Sequence, residues 1–330
     1  MEIQIERLKE LVFGALVGGG VPSDQARVIT EHAVEAQLAG KPLHGVAMVP
    51  RIVEEYKKSS PTTITIARDT PISALLDGGK VPGIVVATTA MEMAIGKAQK
   101  AGIGIVGGFN TGGIGILAVY LRQAVKRNLV GMATCNSTGT VVPYGSVSNI
   151  LGTNPMGVGI PADPLPIILD MATSSITFAE IREALEKGQP VRPGCVIDET
   201  GKTTTDPRMV FKAGVLPFDR SYKGYGLGLV AEILAGPLVN AKAGWKAVEG
   251  SWGFIMTALD PEIMVPLHKF KLDVQRLIAE IKGGRLAEGF KEILIPGEQS
   301  QRNMKACLKR GAVEVEDKII HALEGLQSGS

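Results

Sequence analysis

Between Ile64 and Val265 the sequence alternates short β-branched runs with longer helical stretches, and this alternation restricts the region to a layered α/β architecture. Ile103-Gly104-Ile105-Val106, Gly131-Met132-Ala133-Thr134-Cys135 and Ile167-Ile168-Leu169-Asp170 read as buried strands, while Val85 to Ala101, Ile116 to Arg127 and Leu227 to Leu234 read as helices. Ahead of this region, apolar residues recur at helical spacing from Ile5 to about Leu38. Gly18-Gly19-Gly20 ends a first helix, and Ser23 is placed to cap a second. A third helix is expected after Pro42, with His44, Met48, Arg51 and Glu55 along one side. Beyond Pro266 the chain is charged and helical again, with a strand expected before Pro296-Gly297-Glu298 and a last helix from about Val315. The division expected is an N-terminal helical part (1–62), an α/β domain (63–265) and a C-terminal segment (266–330) packing with the N-terminal helices.

Gly102-Ile103-Gly104-Ile105-Val106-Gly107 matches G-x-G-x-x-G literally. A dinucleotide fingerprint needs a strand before its first glycine and a helix opening at its third. Here a helical pattern, Met91 to Lys100, comes first, and the glycines alternate with Ile and Val. No acid stands about 20 residues on to take a ribose. These glycines are therefore assigned to strand packing, and a Rossmann crevice is not expected. Gly107 to Gly113, which follows that strand and opens onto the helix with Tyr120, reads instead as a loop beside a ligand.

The 330 residues suffice for a substantial core, and 45% hydrophobic with 21% charged residues is ordinary globular composition. A formal net charge of +2, with no basic tract, argues against nucleic acid as a partner. The three cysteines, Cys135, Cys195 and Cys307, form no CxxC pair, and there is no HExxH or carboxylate cluster, so neither a metal site nor a disulfide framework is expected. The opening residues Met1-Glu2-Ile3-Gln4-Ile5-Glu6 carry acids where a signal peptide carries bases, and no apolar run approaches the roughly 18 residues of a membrane span. A cytoplasmic protein with no membrane partner is expected.

Three short segments point to a polyanionic ligand: Gly152-Thr153-Asn154-Pro155, Asp170-Met171-Ala172-Thr173-Ser174 and Lys223-Gly224-Tyr225-Gly226. Glycine admits close backbone approach, backbone N–H groups in such turns bind anions, and the carboxylate and ammonium offer handles for ribose or phosphate.

In order and wording these segments resemble the malate/L-lactate dehydrogenase family that lacks a Rossmann fold, whose members include malate, sulfolactate and ureidoglycolate dehydrogenases and cyclic-imine reductases. Leu43-His44-Gly45-Val46, Asp77-Gly78, Asp198 with Gly201, Thr204-Thr205-Asp206-Pro207, Leu234-Ala235-Gly236-Pro237-Leu238 and Ile295-Pro296-Gly297-Glu298 extend the resemblance along most of the chain. It implies a three-layer α/β domain with a mixed sheet, of the L-sulfolactate dehydrogenase kind and not Rossmann, plus a helical subdomain from both chain ends. It also implies a homodimer, NAD or NADP as cofactor, and a small 2-oxo acid, 2-hydroxy acid or related cyclic imine as substrate. Asn110, Thr153, Asn154, Pro155, Asp170, Lys223, Gly224 and Tyr225 are the expected cofactor-binding residues.

The reacting centre departs from the family pattern. Ser-His-Gly-Val, followed by Arg and Tyr at four-residue steps, is here Leu43-His44-Gly45-Val46 with Met48 and Ile52. The family's Asn-His-Phe-Gly aligns with Asn110-Thr111-Gly112-Gly113, so Thr111 stands where the acid/base histidine is expected; its hydroxyl can hydrogen-bond a substrate but is no useful acid near neutral pH. Thr177-Phe178-Ala179-Glu180-Ile181 replaces Ala-x-Gly-Lys-Ile. Hydride transfer needs a proton donor and a cation for the substrate carboxylate. His44 is expected as the donor, and Arg51, seven residues on and on the same helical face, as the anchor, with Arg220 and Tyr222 as a second choice. An oxidoreductase with a rebuilt site and a paralogue that binds ligand without the redox step both fit this pattern.

Overall fold

The sheet is built from strands that sequence order alone would not bring together. A computed structural model describes residues 1–328. Strand β1 (Glu2–Gln4) leads into α1 (Ile5–Gly18) and α2 (Ser23–Leu38). Two 3₁₀ turns, Pro42–His44 and Val46–Met48, precede α3 (Val49–Lys58). The central region then runs β2 (Thr65–Asp69), β3 (Ser73–Asp77), α4 (Gly83–Ala101), β4 (Ile103–Thr111), α5 (Leu117–Val125), β5 (Val130–Cys135), β6 (Met156–Ile160) and β7 (Ile167–Met171). It continues with α6 (Phe178–Lys187), the short strands β8 (Val196–Ile197), β9 (Thr203–Thr204) and β10 (Gly214–Val215), α7 (Tyr222–Ala235) and β11 (Trp252–Leu259). The chain closes with α8 (Leu267–Lys282), α9 (Glu298–Arg310), β12 (Ala312–Glu314) and α10 (Asp317–Gln327).

The large sheet has the order β2-β3-β4-β11-β5-β6-β7. Only β3 and β4 run parallel; the other pairs are antiparallel, so the sheet is mixed. β11 enters the middle, with Met256 opposite Val106 of β4 and Ala133 of β5. Its side chains alternate as a strand between two layers requires: Phe254, Met256 and Ala258 face the core under α4 and α5, while Gly253 on the opposite face lets α7 approach. Helices α4 and α5, the sheet, and α7 form the three layers. The edge strand β2 is exposed throughout and carries Arg68 and Asp69, which blunts edge pairing.

The glycines of the literal G-x-G-x-x-G do structural work. Gly102, at φ +80°, closes α4; a Cβ on Gly104 would stand 2.0 Å from the Ala94 carbonyl; one on Gly107 would strike Val239. No helix opens at the third glycine, as the strand assignment required.

The two ends of the chain share a core. β1 pairs with β12, Ile3 opposite Val313, and α1 packs on α10, burying Leu8, Val12, Leu16, Ile29, Ile320 and Leu323 together. A smaller apolar cluster joins α6 to β8 and β10 through Ile181, Val196 and Val215.

Several local expectations change. The helix expected from Pro42 is broken: Gly45 sits where a Cβ would come within 2.8 Å of Gln37 Oε1, and the backbone makes two 3₁₀ turns before α3 starts. Ser23 is the first residue of α2, with Pro22 in the capping position. No strand precedes Pro296; its carbonyl accepts one bond from Ile168 N at the β7 edge, and Glu298 opens α9. α8 buries none of its residues. Among the described residues no helix is long and apolar enough to cross a membrane.

Candidate functional site

The 3₁₀ turns ahead of α3, the loop after β4, the loop after β5 and the first turns of α6 converge on a cleft of about 990 Å³. This volume is at the upper end of small-molecule sites, roughly 300–1,000 Å³. The breaks at Gly45 and after Thr111 are what place side chains from separate elements around one space.

His44 lines the cleft from the first 3₁₀ turn. Burial, and secondarily the Lys41 ammonium, push its imidazole below the ordinary range, so it is neutral near pH 7. Arg51, on the first turn of α3, faces the same space, although the two residues do not share one continuous helix. Its Nε donates to Glu55 and its Nη2 donates to Glu249 Oε2 at 2.8 Å. Glu249 stands in the loop before β11. Burial, then the Glu55 charge, raise its carboxyl to about 7, against the opposing pull of Arg51, Arg182 and a backbone hydrogen bond from Gly113.

Arg182 enters from α6 and lies over the Phe178 ring at 5.3 Å. Its helix is fixed by a capping box: Thr177 Oγ1 accepts from Glu180 N, and the Glu180 carboxylate accepts from Thr177 N. Arg182 has no ion-pair partner among the described residues, in contrast to Arg51.

Thr153 and Pro155 line the cleft beside Asn136-Ser137-Thr138-Gly139-Thr140. Within that loop Thr140 Oγ1 is buried and has no hydrogen-bond partner. Both loops are tied to α7 through Glu232, a nearly buried carboxylate. It accepts from Asn154 Nδ2 at 2.6 Å, Asn136 Nδ2 at 3.2 Å and Gly244 N at 2.9 Å.

The structure does not bring the other expected residues into this space. Thr111 is fully buried, and its hydroxyl donates to the Trp252 carbonyl at 3.2 Å. Asn110, at φ +53°, donates to Asp77 Oδ1 at the end of β3. Asn154 is fully buried on Glu232 and the Gly228 carbonyl. Asp170, its carboxyl raised by burial, accepts from Ala118 N at 2.9 Å and so caps α5. Lys223, Gly224 and Tyr225 form the first turn of α7, whose N–H groups are taken by Ser221 Oγ and Asp219. Arg220 packs against Gly194, and Tyr222 meets Tyr144 edge-on, both away from the cleft. Glu298 is held by Lys282 and Arg302 on the far side of β7.

A model of the malate/L-lactate dehydrogenases matches residues 3–324. The chain belongs to that family. It is 34% identical to the L-sulfolactate dehydrogenase of Methanothermobacter thermautotrophicus over 99% of this chain and 96% of that one. It is 33% identical to the malate dehydrogenase of Pyrococcus horikoshii, covering 96% and 92% of the respective chains. The solved sulfolactate dehydrogenase of Methanocaldococcus jannaschii superposes with a TM-score of 0.89 at 33% identity, covering 99% and 97%. The malate/L-lactate dehydrogenases are oxidoreductases acting on hydroxy and oxo acids.

Sequence reasoning missed Glu249, Arg182 and Glu232. The small-residue run from Asn136 to Thr140, directly after a strand, was the available signal for the loop beside β5. Glu249 lies in a charged loop with no motif around it, and only folding sets it against Arg51.

Proposed function

We propose that the protein is an NAD(P)-dependent oxidoreductase that interconverts a small 2-oxo acid, or a related cyclic imine, and its reduced form in this cleft. The observation that supports it best is Arg182: a guanidinium without an ion-pair partner among the described residues, seated on the Phe178 ring and lining the same cleft as Glu249. A planar fork of donors suits a substrate carboxylate.

The residues present fit a dinucleotide. Thr153, Pro155 and the loop from Asn136 to Thr140 form a small-residue wall of the cleft, against which a nucleotide can lie. When bound, the nicotinamide would supply or accept the hydride. Thr153 and the Asn136–Thr140 backbone would hold the nucleotide, and Asn154 and Asp170 would keep those loops and the start of α5 in place. Arg182 would orient the substrate by its carboxylate, and neutral His44 would hydrogen-bond it. Trp252 and Phe178 would keep water from the reacting atoms. Lys223, with Gly224 and Tyr225, is left as a contact for the outer end of the nucleotide.

On this reading the site is a rebuilt one, with Thr111 buried beneath it. The exposed apolar residues of α7 and α8, Leu227, Val230, Ile233, Leu272, Leu277 and Ile281, support a homodimer. The three free cysteines suit the cytoplasm, where thiols stay reduced. One observation favours the second reading, a nucleotide-binding paralogue without redox chemistry: Arg51 is already held by two carboxylates.

Titration of the purified protein with NADH and NADPH, followed by nicotinamide fluorescence, and assay over a panel of 2-oxo and cyclic imino acids separate the readings. Binding with turnover supports the oxidoreductase; tight binding without turnover on any member supports the paralogue.

A further inference from the structure

We infer that Glu249 is the group that gives a proton to the substrate on reduction and takes it back on oxidation. The inference rests on the oxidoreductase reading and assigns within it the role that the resemblance gave to a histidine at the position of Thr111. Thr111 is buried behind the Trp252 carbonyl, and burial lowers the His44 imidazole, which disfavours the protonated form that reduction requires. Glu249 lies beside the loop that Thr111 opens: a Cβ on Gly112 would stand 3.4 Å from Glu249 Oε1. A carboxyl reaching into the cleft from the β11 side thus occupies space next to the backbone where the resemblance placed a histidine.

The charged groups around it are consistent with proton exchange. Arg51 and Glu55 approach from α3 and Arg182 from α6, while His44 and Cys135 share the cleft. Desolvation and Glu55 favour the neutral carboxyl; Arg51 and Arg182 favour the carboxylate. Desolvation and Glu55 prevail and raise the carboxyl to about 7, so the group is close to half-protonated at neutral pH, where general acid–base catalysis is most effective. Arg51 is then a positioning residue: it aims the carboxyl through Oε2 and leaves Oε1 toward Gly112.

On reduction of a 2-oxo acid, the carbonyl carbon accepts a hydride and its oxygen takes the Glu249 proton. The Glu249 O–H bond breaks, a substrate O–H bond forms, the substrate is reduced and the nicotinamide oxidised. The carboxylate is reprotonated from solvent at the cleft mouth. Oxidation runs these transfers in reverse.

The test combines ¹³C-carboxyl NMR of the nucleotide-free protein with pH–rate profiles. The resonance lost in Glu249→Gln should titrate near 7 in the wild type and higher in Arg51→Gln, which lacks the cation that lowers it. Reductive kcat should fall as pH rises through that midpoint. Glu249→Gln should lower kcat by about 10²–10⁴-fold, abolish that limb and leave NADH affinity within about twofold. Titration in the usual carboxylate range, or a variant that keeps both turnover and the pH limb, overturns the inference and leaves the oxidoreductase reading standing. Absence of turnover in the wild type overturns both.

Discussion

His32 illustrates how one buried side chain ties the helical ends of the chain to the sheet region. Its Nε2 accepts from Ile116 N at 3.1 Å, its ring lies 5.2 Å from Tyr120, and its Nδ1 has no partner. Burial, and next the Arg122 charge, lower its pKa from 6.5 to about 3. Between those values the unfolded chain binds a proton that the folded chain refuses, so stability falls as pH drops, and the contribution is complete above 6.5. His32→Asn keeps an acceptor near Ile116 but does not titrate. Its melting temperature should therefore fall less than that of the wild type between about pH 7 and about pH 4; equal falls would contradict this account. Glu232, by contrast, is a buried carboxylate with its partners in place: it accepts from Asn154, Asn136 and Gly244 and clamps their loops to α7.

At the level of elements, the contact between α4 and β4 depends on glycine. Gly104→Ala would place a methyl against the Ala94 carbonyl and push the helix from the sheet, at a cost of about 1–3 kcal/mol in denaturant unfolding. Below its transition the variant should still bind nicotinamide nucleotide, since these glycines pack a helix and do not cradle a phosphate. Loss of binding without loss of stability would restore the fingerprint reading. Most elements were legible from periodicity. α4, α5, β4, β5 and β7 lie where Val85–Ala101, Ile116–Arg127 and the β-branched runs placed them, because each buries one face or two with a regular period. The turn from Pro42 to Met48 was not legible as a break, since Gly45 is excluded from a helix by Gln37 on a neighbouring element. The site was legible in part for the same reason. His44, Thr153 and Pro155, singled out by local wording, line the cleft, as does Arg51, singled out by a helical spacing to His44 that the two 3₁₀ turns interrupt; Glu249 and Arg182 meet only across distant segments. Asp170 and Asn154 carried ligand-like chemistry in the sequence, and the fold directs it to α5 and Glu232.

For the whole molecule, α8 is the element that the single chain leaves unexplained. It is anchored through Lys271 to Asp163 and Lys282 to Glu298, yet Leu277 remains 56% and the following Phe290 69% exposed. Burying this surface in a second copy, as the proposed homodimer would, removes from water apolar residues that a monomer leaves exposed. Sedimentation equilibrium should give twice the mass of one chain, and Leu277→Glu should shift the population toward single chains; a monomeric wild type would contradict the dimer. The central claim concerns the cleft itself, where the ends of separate elements hold Arg182, Glu249 and Thr153 around one space. A crystal structure with reduced nicotinamide and a non-reacting 2-oxo acid analogue tests it most directly. The account predicts the nicotinamide ring beside Thr153, with the analogue's carboxylate on Arg182 and its oxo group toward Glu249. A nucleotide bound elsewhere on the molecule, with the cleft empty, would contradict it.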